Sequence, residues 1–235
     1  MNILAVGCHP DDLEIGCGGT LAKYAAQGHK VTMCHVTNGH LGHAVIQPDE
    51  LIVLRAREAE EAAKNIGAVE VLSLDVNDLE PESSNPETAR KLADVIRRVK
   101  PDLIITHSPE DYMRDHVEVG KIVFDASFDS SVPHVVTEHP AYGPIVPIYY
   151  MDTLAGVNFL PTEYVDISAT IETKIAAVNC HQTQVKWLLD HDRIDFLDFV
   201  RTCSKFRGLQ CGAPYAEGFR QCATWPRLTT KRLLP

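Results

Sequence analysis

Apolar and polar positions alternate in two periods along the first 126 residues, a strand period of two and a helix period near 3.6. NILAVGC (2–8) forms an unbroken apolar strand, and residues 13–27 follow in helical register up to Gly28. KVTMCHV (30–36) makes a second strand, leading into a polar loop from Thr37 to Pro48. The stretch 49–66 predicts a long helix with Asp49 as its cap and Gly67 as its stop. A third strand at 69–74, a helix over 86–99 with Pro86 in its first turn, a strand PDLIITH (101–107) and a helix from His116 to Ala126 complete the series. Apolar strands separated by helices imply a parallel sheet covered on both faces. Right-handed crossovers then give a doubly wound, Rossmann-like α/β fold.

The rhythm loosens after residue 130. VPIYYMD (146–152) and TEYVDI (162–167) predict two more strands, and 168–181 a helix capped by Ser168. A second helix is expected over 184–208, with Trp187, Leu188, Ile194, Leu197 and Val200 on its buried face. The Gly- and Pro-rich tail, 209–235, predicts no regular element. Without a repeat or a linker, the expectation is one domain over 1–235, a Rossmann-like core (1–130) followed by a region (131–235) that shapes the pocket and packs on the sheet.

Composition narrows the partners. The formal charge of -10 and the lack of a basic run argue against a nucleic-acid backbone. No apolar window suits a membrane span, and MNILAVGC lacks the basic start of a signal peptide. Seven cysteines without a CxxC pair fit a reducing, cytoplasmic setting; Cys211 and Cys222 are the one pair considered for a bridge.

The candidate chemistry begins at His9-Pro10-Asp11-Asp12, directly after the first strand. Ligands of such sheets bind beyond the carboxyl ends of the strands, at the switch point between strands one and four. A turn stiffened by Pro10 aims His9 and Asp12 at one point, and an imidazole with a carboxylate suits zinc. Asp11 is left free to take a proton from water. A nucleotide reading fails, since no G-x-G-x-x-G follows the strand; Gly16, Gly18 and Gly19 instead suit close helix–sheet approach. A third ligand is expected from the loop after the fourth strand, where His107 and His116 are both available. Position at a helix start, after Asp115, favours His116.

These residues closely resemble the LmbE-like, or PIG-L-like, family of zinc-dependent N-deacetylases. The resemblance is carried by VGCHPDDLEIGCGGTLAKYAAQGHKV (6–31), VTNG (36–39), Arg55 with Glu58, PDLIITH with DHVEVG (115–120), HQTQ (181–184) and PYAEGF (214–219). It implies His9, Asp12 and His116 as ligands of one zinc ion per subunit, Asp11 as general base and Arg55 near the substrate or oxyanion. It also implies a homo-oligomer, with the hexamer a common form, acting on a small amide or sugar conjugate. Two positions depart from the pattern. Met113 stands where relatives carry a histidine thought to act on the oxyanion or as an acid, a role open to Tyr112, His139, His181 or another subunit. His40 replaces an expected glutamate. Tyr112 joins Asp11 and Arg55 as a catalytic candidate; Asn38, His40, Arg55, Met113, His181 and Glu217 are the substrate-binding candidates. The expected activity is removal of an acetyl or related acyl group from an N-acetylglucosamine-type substrate. Zinc-dependent hydration of an unsaturated carboxylic acid and a non-enzymatic sugar-binding module are the alternatives.

Overall fold

A computed structural model describes residues Met1–Pro235, and in it the first strand, β1 (Asn2–Gly7), divides its side chains between two cores. Ile3 and Ala5 enter one, Leu4 and Val6 the other, and all four are fully buried. This double burial is why the strand shows no polar alternation.

Six further strands complete one sheet: β2 (Lys30–Thr37), β3 (Glu70–Val76), β4 (Leu103–Thr106), β5 (Ile148–Met151), β6 (Glu163–Asp166) and β7 (Ala216–Gln221). Their order is β3-β2-β1-β4-β5-β7-β6. The first five strands in that order are parallel, and β7 runs antiparallel to both β5 and β6. Helices α1 (Asp12–Ala26), α2 (Pro48–Ile66) and α5 (Ile171–Val178) cover one face, while α3 (Pro86–Val99) and α4 (Arg114–Asp129) cover the other. The expected doubly wound α/β layout is therefore present. The chain's order reverses between β1 and β4, where a crevice opens beyond their carboxyl ends.

Helix–sheet approach explains the glycines of α1. A Cβ on Gly19 would lie 2.7 Å from Ile167 Cδ1, and one on Gly16 would lie 2.7 Å from Met151 Sδ. Helix α2 starts one residue before expectation, with Pro48 in its first turn and Gln47 at the cap, so Asp49 lies inside the helix. Its stop is as expected, Gly67 taking the left-handed conformation at φ 85°. Thr170, not Ser168, precedes the first residue of α5.

The carboxyl-terminal third departs further from expectation. The single helix expected over 184–208 is two, α6 (Gln182–Trp187) and α7 (Phe196–Cys211), joined by a π-helical turn (Leu188–Asp192). Arg193 in the left-handed region (φ 60°) ends that turn, and Asp195 caps α7 through the backbone N–H of Asp198. Trp187 is half-buried, stacked on His191 at a centroid distance of 4.4 Å and tilted against His43 at 4.7 Å. The tail, expected to be irregular, supplies β7, an interior strand of the sheet. Cys211 and Cys222 are free thiols, like the other five. No helix is long and apolar enough to cross a membrane.

Candidate active site

The chain turns sharply where β1 gives way to α1. The N–H of Asp12 reaches back to the carbonyl of His9 (3.3 Å), while the N–H of His9 donates to Asp12 Oδ2 (2.6 Å). Between them Asp11 adopts φ 129°, ψ -26°, a strained conformation for an L-residue that the surroundings must hold in place. Asp12 opens α1, so its carboxylate sits at the positive end of the helix dipole.

Three histidines surround that carboxylate. His9 Nδ1 stands 3.3 Å and His107 Nε2 3.2 Å from Oδ2, and His116 Nε2 stands 3.4 Å from Oδ1. The His107 and His116 rings stack at 3.9 Å. Two overlapping donor sets result, Cys8-His9-Asp12 and Asp12-His107-His116, each with its atoms within 4.8 Å. The expected trio of His9, Asp12 and His116 spans both sets through Asp12.

Hydrogen bonding separates the candidates. His107 Nε2 accepts the N–H of Cys8 at 2.9 Å, which occupies the lone pair it would offer a metal. Burial, joined by the charge of His116, pushes the His107 imidazole down to about 4, so it is neutral at pH 7. Burial also pushes the Cys8 thiol up to about 12, so in the absence of a cation it is protonated. His116 differs. Its Nδ1 faces Asp111 Oδ2 at 3.1 Å, a buried acceptor that calls for the proton on Nδ1. Nε2 is then a lone pair aimed at Asp12 Oδ1, and it is buried without a hydrogen-bond partner.

Two acceptors facing each other across 3.4 Å require a positive species between or beside them. A divalent cation fits these donors. With only a proton to serve, burial lowers the His116 pKa but Asp12 and Asp111 outweigh it and raise the value to about 9. His9 is likewise raised well above its ordinary value, because Asp115 and Asp12 overcome burial. Asp115 Oδ2 lies 3.5 Å from His9 Nε2 and accepts the N–H of Leu79 at 2.8 Å.

Asp11 points to the other side of the turn. Its Oδ2 lies 3.1 Å from Arg55 Nη2, and that nitrogen also donates to the Pro10 carbonyl. Burial pushes the Asp11 carboxyl up, against the pull of Arg55, to about 6. Arg55 is 3% exposed and also donates through Nη1 to the Gly39 carbonyl at 3.3 Å. Gly39 sits at φ 75°, and a Cβ there would come within 2.6 Å of Arg55 Nη1. The guanidinium thus clamps two loops, and its terminal nitrogens are engaged with protein rather than presented to a substrate.

The remaining sequence candidates separate by burial and bonding. Asn38 donates to Asp75 and Asn77 (both 3.2 Å) and accepts from the N–H of His40, while His40 Nδ1 accepts the N–H of Asp78. Both therefore secure the loop after β2. Met113 lies at the cap of α4, half-buried, its N–H bound to Asp111. Tyr112 is 52% exposed and hydrogen-bonds none of the cluster, so the expected catalytic tyrosine is not brought into it. His139 pairs with Asp94 (3.1 Å), away from the cluster.

His181 is completely buried beneath the turn, 3.3 Å from Glu14 Oε1, and cannot meet a substrate. Glu217 is also committed. Its oxygens accept the N–H groups of Gly19 (2.9 Å) and Thr20 (2.8 Å), and Lys174 Nζ at 2.6 Å. These bonds tie β7 to α1, and Glu217 also lines the space that Asp12 and His116 border. Asp111, Asp78, Glu14 and Lys174 were not singled out from sequence. Of these only Asp111, five residues before His116, carried a local signal, as a carboxylate within reach of a candidate ligand.

Known proteins resemble this chain in sequence and fold. A family profile described as PIG-L, GlcNAc-PI de-N-acetylase, matches residues 4–127, just over half the chain. The diacetylchitobiose deacetylase of Thermococcus kodakarensis is 27% identical over 232 residues, covering 93% of this chain and 82% of that protein. The solved N,N'-diacetylchitobiose deacetylase of Pyrococcus horikoshii superposes with a TM-score of 0.82 at 26% identity, over 94% of this chain and 83% of that one. A 4-oxalmesaconate hydratase of Pseudomonas putida is 27% identical over 191 residues, 75% of this chain and 71% of that protein.

Proposed function

The chain belongs to the PIG-L family of de-N-acetylases, and from that premise we propose that it hydrolyses the acetamide of an N-acetylglucosamine-type sugar or conjugate with a bound divalent ion. One observation carries the reading: the buried, unpartnered Nε2 of His116 facing Asp12 Oδ1 across 3.4 Å. His9, Asp12 and His116 hold the ion, Asp111 fixes the His116 tautomer, and His107 supports the turn through Cys8. Zinc suits two imidazoles and a carboxylate. A cytoplasmic location and assembly as a homo-oligomer belong to the same reading.

When bound, the ion supplies Lewis acidity to the amide carbonyl and the attacking water. Asp11 takes the proton of that water on its carboxylate and returns it to the leaving amine. A carboxyl held near 6 is matched to both transfers near neutral pH. Arg55 acts through Asp11, holding its carboxylate in the strained turn. Strain at Asp11 is retained because two loops converge on that guanidinium.

Elemental analysis of the purified protein, run beside an amine-release screen over N-acetyl sugars and their conjugates, tests the proposal. It predicts one ion per chain, absent from His116→Ala, and release of free amine and acetate. A metal-free wild type or unchanged metal content in His116→Ala contradicts it.

A second reading has one observation in its favour. Met113 offers no proton at a position where relatives carry a histidine, and hydration of an unsaturated carboxylic acid by the same ion does not require an acid for a leaving amine. Mass spectrometry separates the two, as loss of an acetyl group or gain of one water.

A further inference from the structure

The cluster has two sides. His9, with 18% of its side chain exposed, is its most open member. On the opposite side Asp12, His107 and His116 form the inner wall of a chamber between α1, the end of β5, and α7. Its water-accessible room is about 40 Å³. At the ~10–15 Å³ that one water needs, this holds about three waters or one two-carbon acid. It is far below the ~300–1,000 Å³ of pockets for drug-sized ligands, so a sugar ring is excluded.

The walls are more apolar than polar, and the lysine and arginine among them are paired. Lys174 is paired with Glu217 at 2.6 Å, and Arg207 with Asp152, Nη2 to Oδ1 at 2.9 Å. Ser204 and Thr153 contribute hydroxyls. Paired charges do not trap an anion as an isolated cation would.

The far end reaches the surface. Ala155 is exposed and Phe199 and Cys203 are half-buried, and these three residues also line an open surface basin of about 780 Å³. Ala155, from the turn after β5, and Phe199 and Cys203, from one face of α7, thus line both chamber and basin.

We propose that chamber and basin connect through a neck at these three residues, and that this passage is the route by which acetate leaves the metal cluster and water enters it, while the amino sugar occupies the His9 side. The inference rests on the deacetylase reading: hydrolysis of R–NH–CO–CH₃ by one water yields R–NH₂ and acetic acid, which ionises to acetate and a proton. The acetyl carbon, small enough for the chamber, points inward, and the amine product blocks the His9 side until it departs. A back exit allows the two products to leave independently.

The test uses cobalt(II)-loaded protein, whose visible spectrum reports acetate binding in stopped flow, beside steady-state kinetics on N-acetylglucosamine. Cys203→Trp narrows the neck, Phe199→Ala widens it, and Cys203→Ser controls for loss of the thiol. Expected are acetate association about tenfold slower in Cys203→Trp, faster in Phe199→Ala, and unchanged in Cys203→Ser. In Cys203→Trp, kcat falls while KM for the sugar stays within about twofold. Should Cys203→Trp fail to fold, the opposite sign expected for Phe199→Ala still decides.

Acetate association unchanged in the folded neck variants, or no acetate binding by the wild type, overturns the passage. A rise in sugar KM with unaltered acetate kinetics assigns the neck to sugar entry and overturns it equally. If no N-acetyl sugar is cleaved yet acetate entry still responds to the neck, the passage stands and the deacetylase reading falls.

Discussion

Arg55 Nη2 stands 3.1 Å from Asp11 Oδ2. Lysine cannot reproduce this contact together with the bonds to the Pro10 and Gly39 carbonyls, because they need a planar fork. Arg55→Ala leaves a buried carboxylate without its cation and should cost about 3–5 kcal/mol of stability, with loss of turnover. Arg55→Lys should fold better than the alanine variant but remain well below wild-type activity. Thermal melts and steady-state rates on the same preparations check both.

Asp11→Asn keeps the shape of the turn and removes the base. It should retain its metal and lose about 10²–10⁴-fold in turnover. Metal content by elemental analysis, read beside kcat, decides whether Asp11 serves chemistry or only the fold.

The two histidines after β4 should fail in different ways. His116→Ala is expected to lose the ion, whereas His107→Ala leaves the Cys8 N–H unpaired in the interior and should cost about 1–3 kcal/mol. Metal affinity of His107→Ala should fall by no more than about 10–100-fold, the range for a supporting residue. Equal loss of metal in both variants would make His107 a ligand.

Glu217→Ala tests whether that residue serves the fold. It strands Lys174 and two N–H groups of α1, so the melting temperature should fall by an amount equivalent to about 3–5 kcal/mol. Metal binding at low temperature should persist, since the carboxylate touches none of the proposed ligands.

Glu118 gives a pH dependence away from the site. The Lys121 ammonium (2.8 Å) and the Ser83 N–H (2.7 Å) hold its carboxyl down from 4.5 to about 2. A depressed acid stabilises the fold fully above its unfolded value and loses that contribution as pH falls through its folded value. The wild type should therefore exceed Glu118→Gln in melting temperature above pH ~4.5, and the gap should close toward pH ~2. A gap independent of pH would show that the charge contributes nothing.

The legibility of this chain follows the range of its interactions. Strands β1 to β4 and helices α1 to α4 were readable because each buries a periodic apolar set within its own segment, Ile3 and Ala5 against Leu4 and Val6 being the plainest case. Strand β7 was not. AEGFRQ carries two charges and a glycine, and Glu217 is buried there only because Lys174 and the backbone of α1 receive it. No local pattern encodes a partner 43 residues away in the chain. The break at Arg193 was equally hidden, since neither glycine nor proline marks it.

By itself, the order of residues determined the doubly wound core and the place of the chemistry. A strand of apolar residues ending in His-Pro-Asp-Asp sets a turn of candidate metal donors at a carboxyl edge. Tertiary structure alone decided how the donors divide their work. His107 spends its lone pair on a backbone N–H 99 residues earlier, His116 is turned by Asp111, and Arg55 is drawn inward to Asp11. Which lone pair faces a metal depends on hydrogen bonds made across the fold, and these exist only once distant segments are packed together.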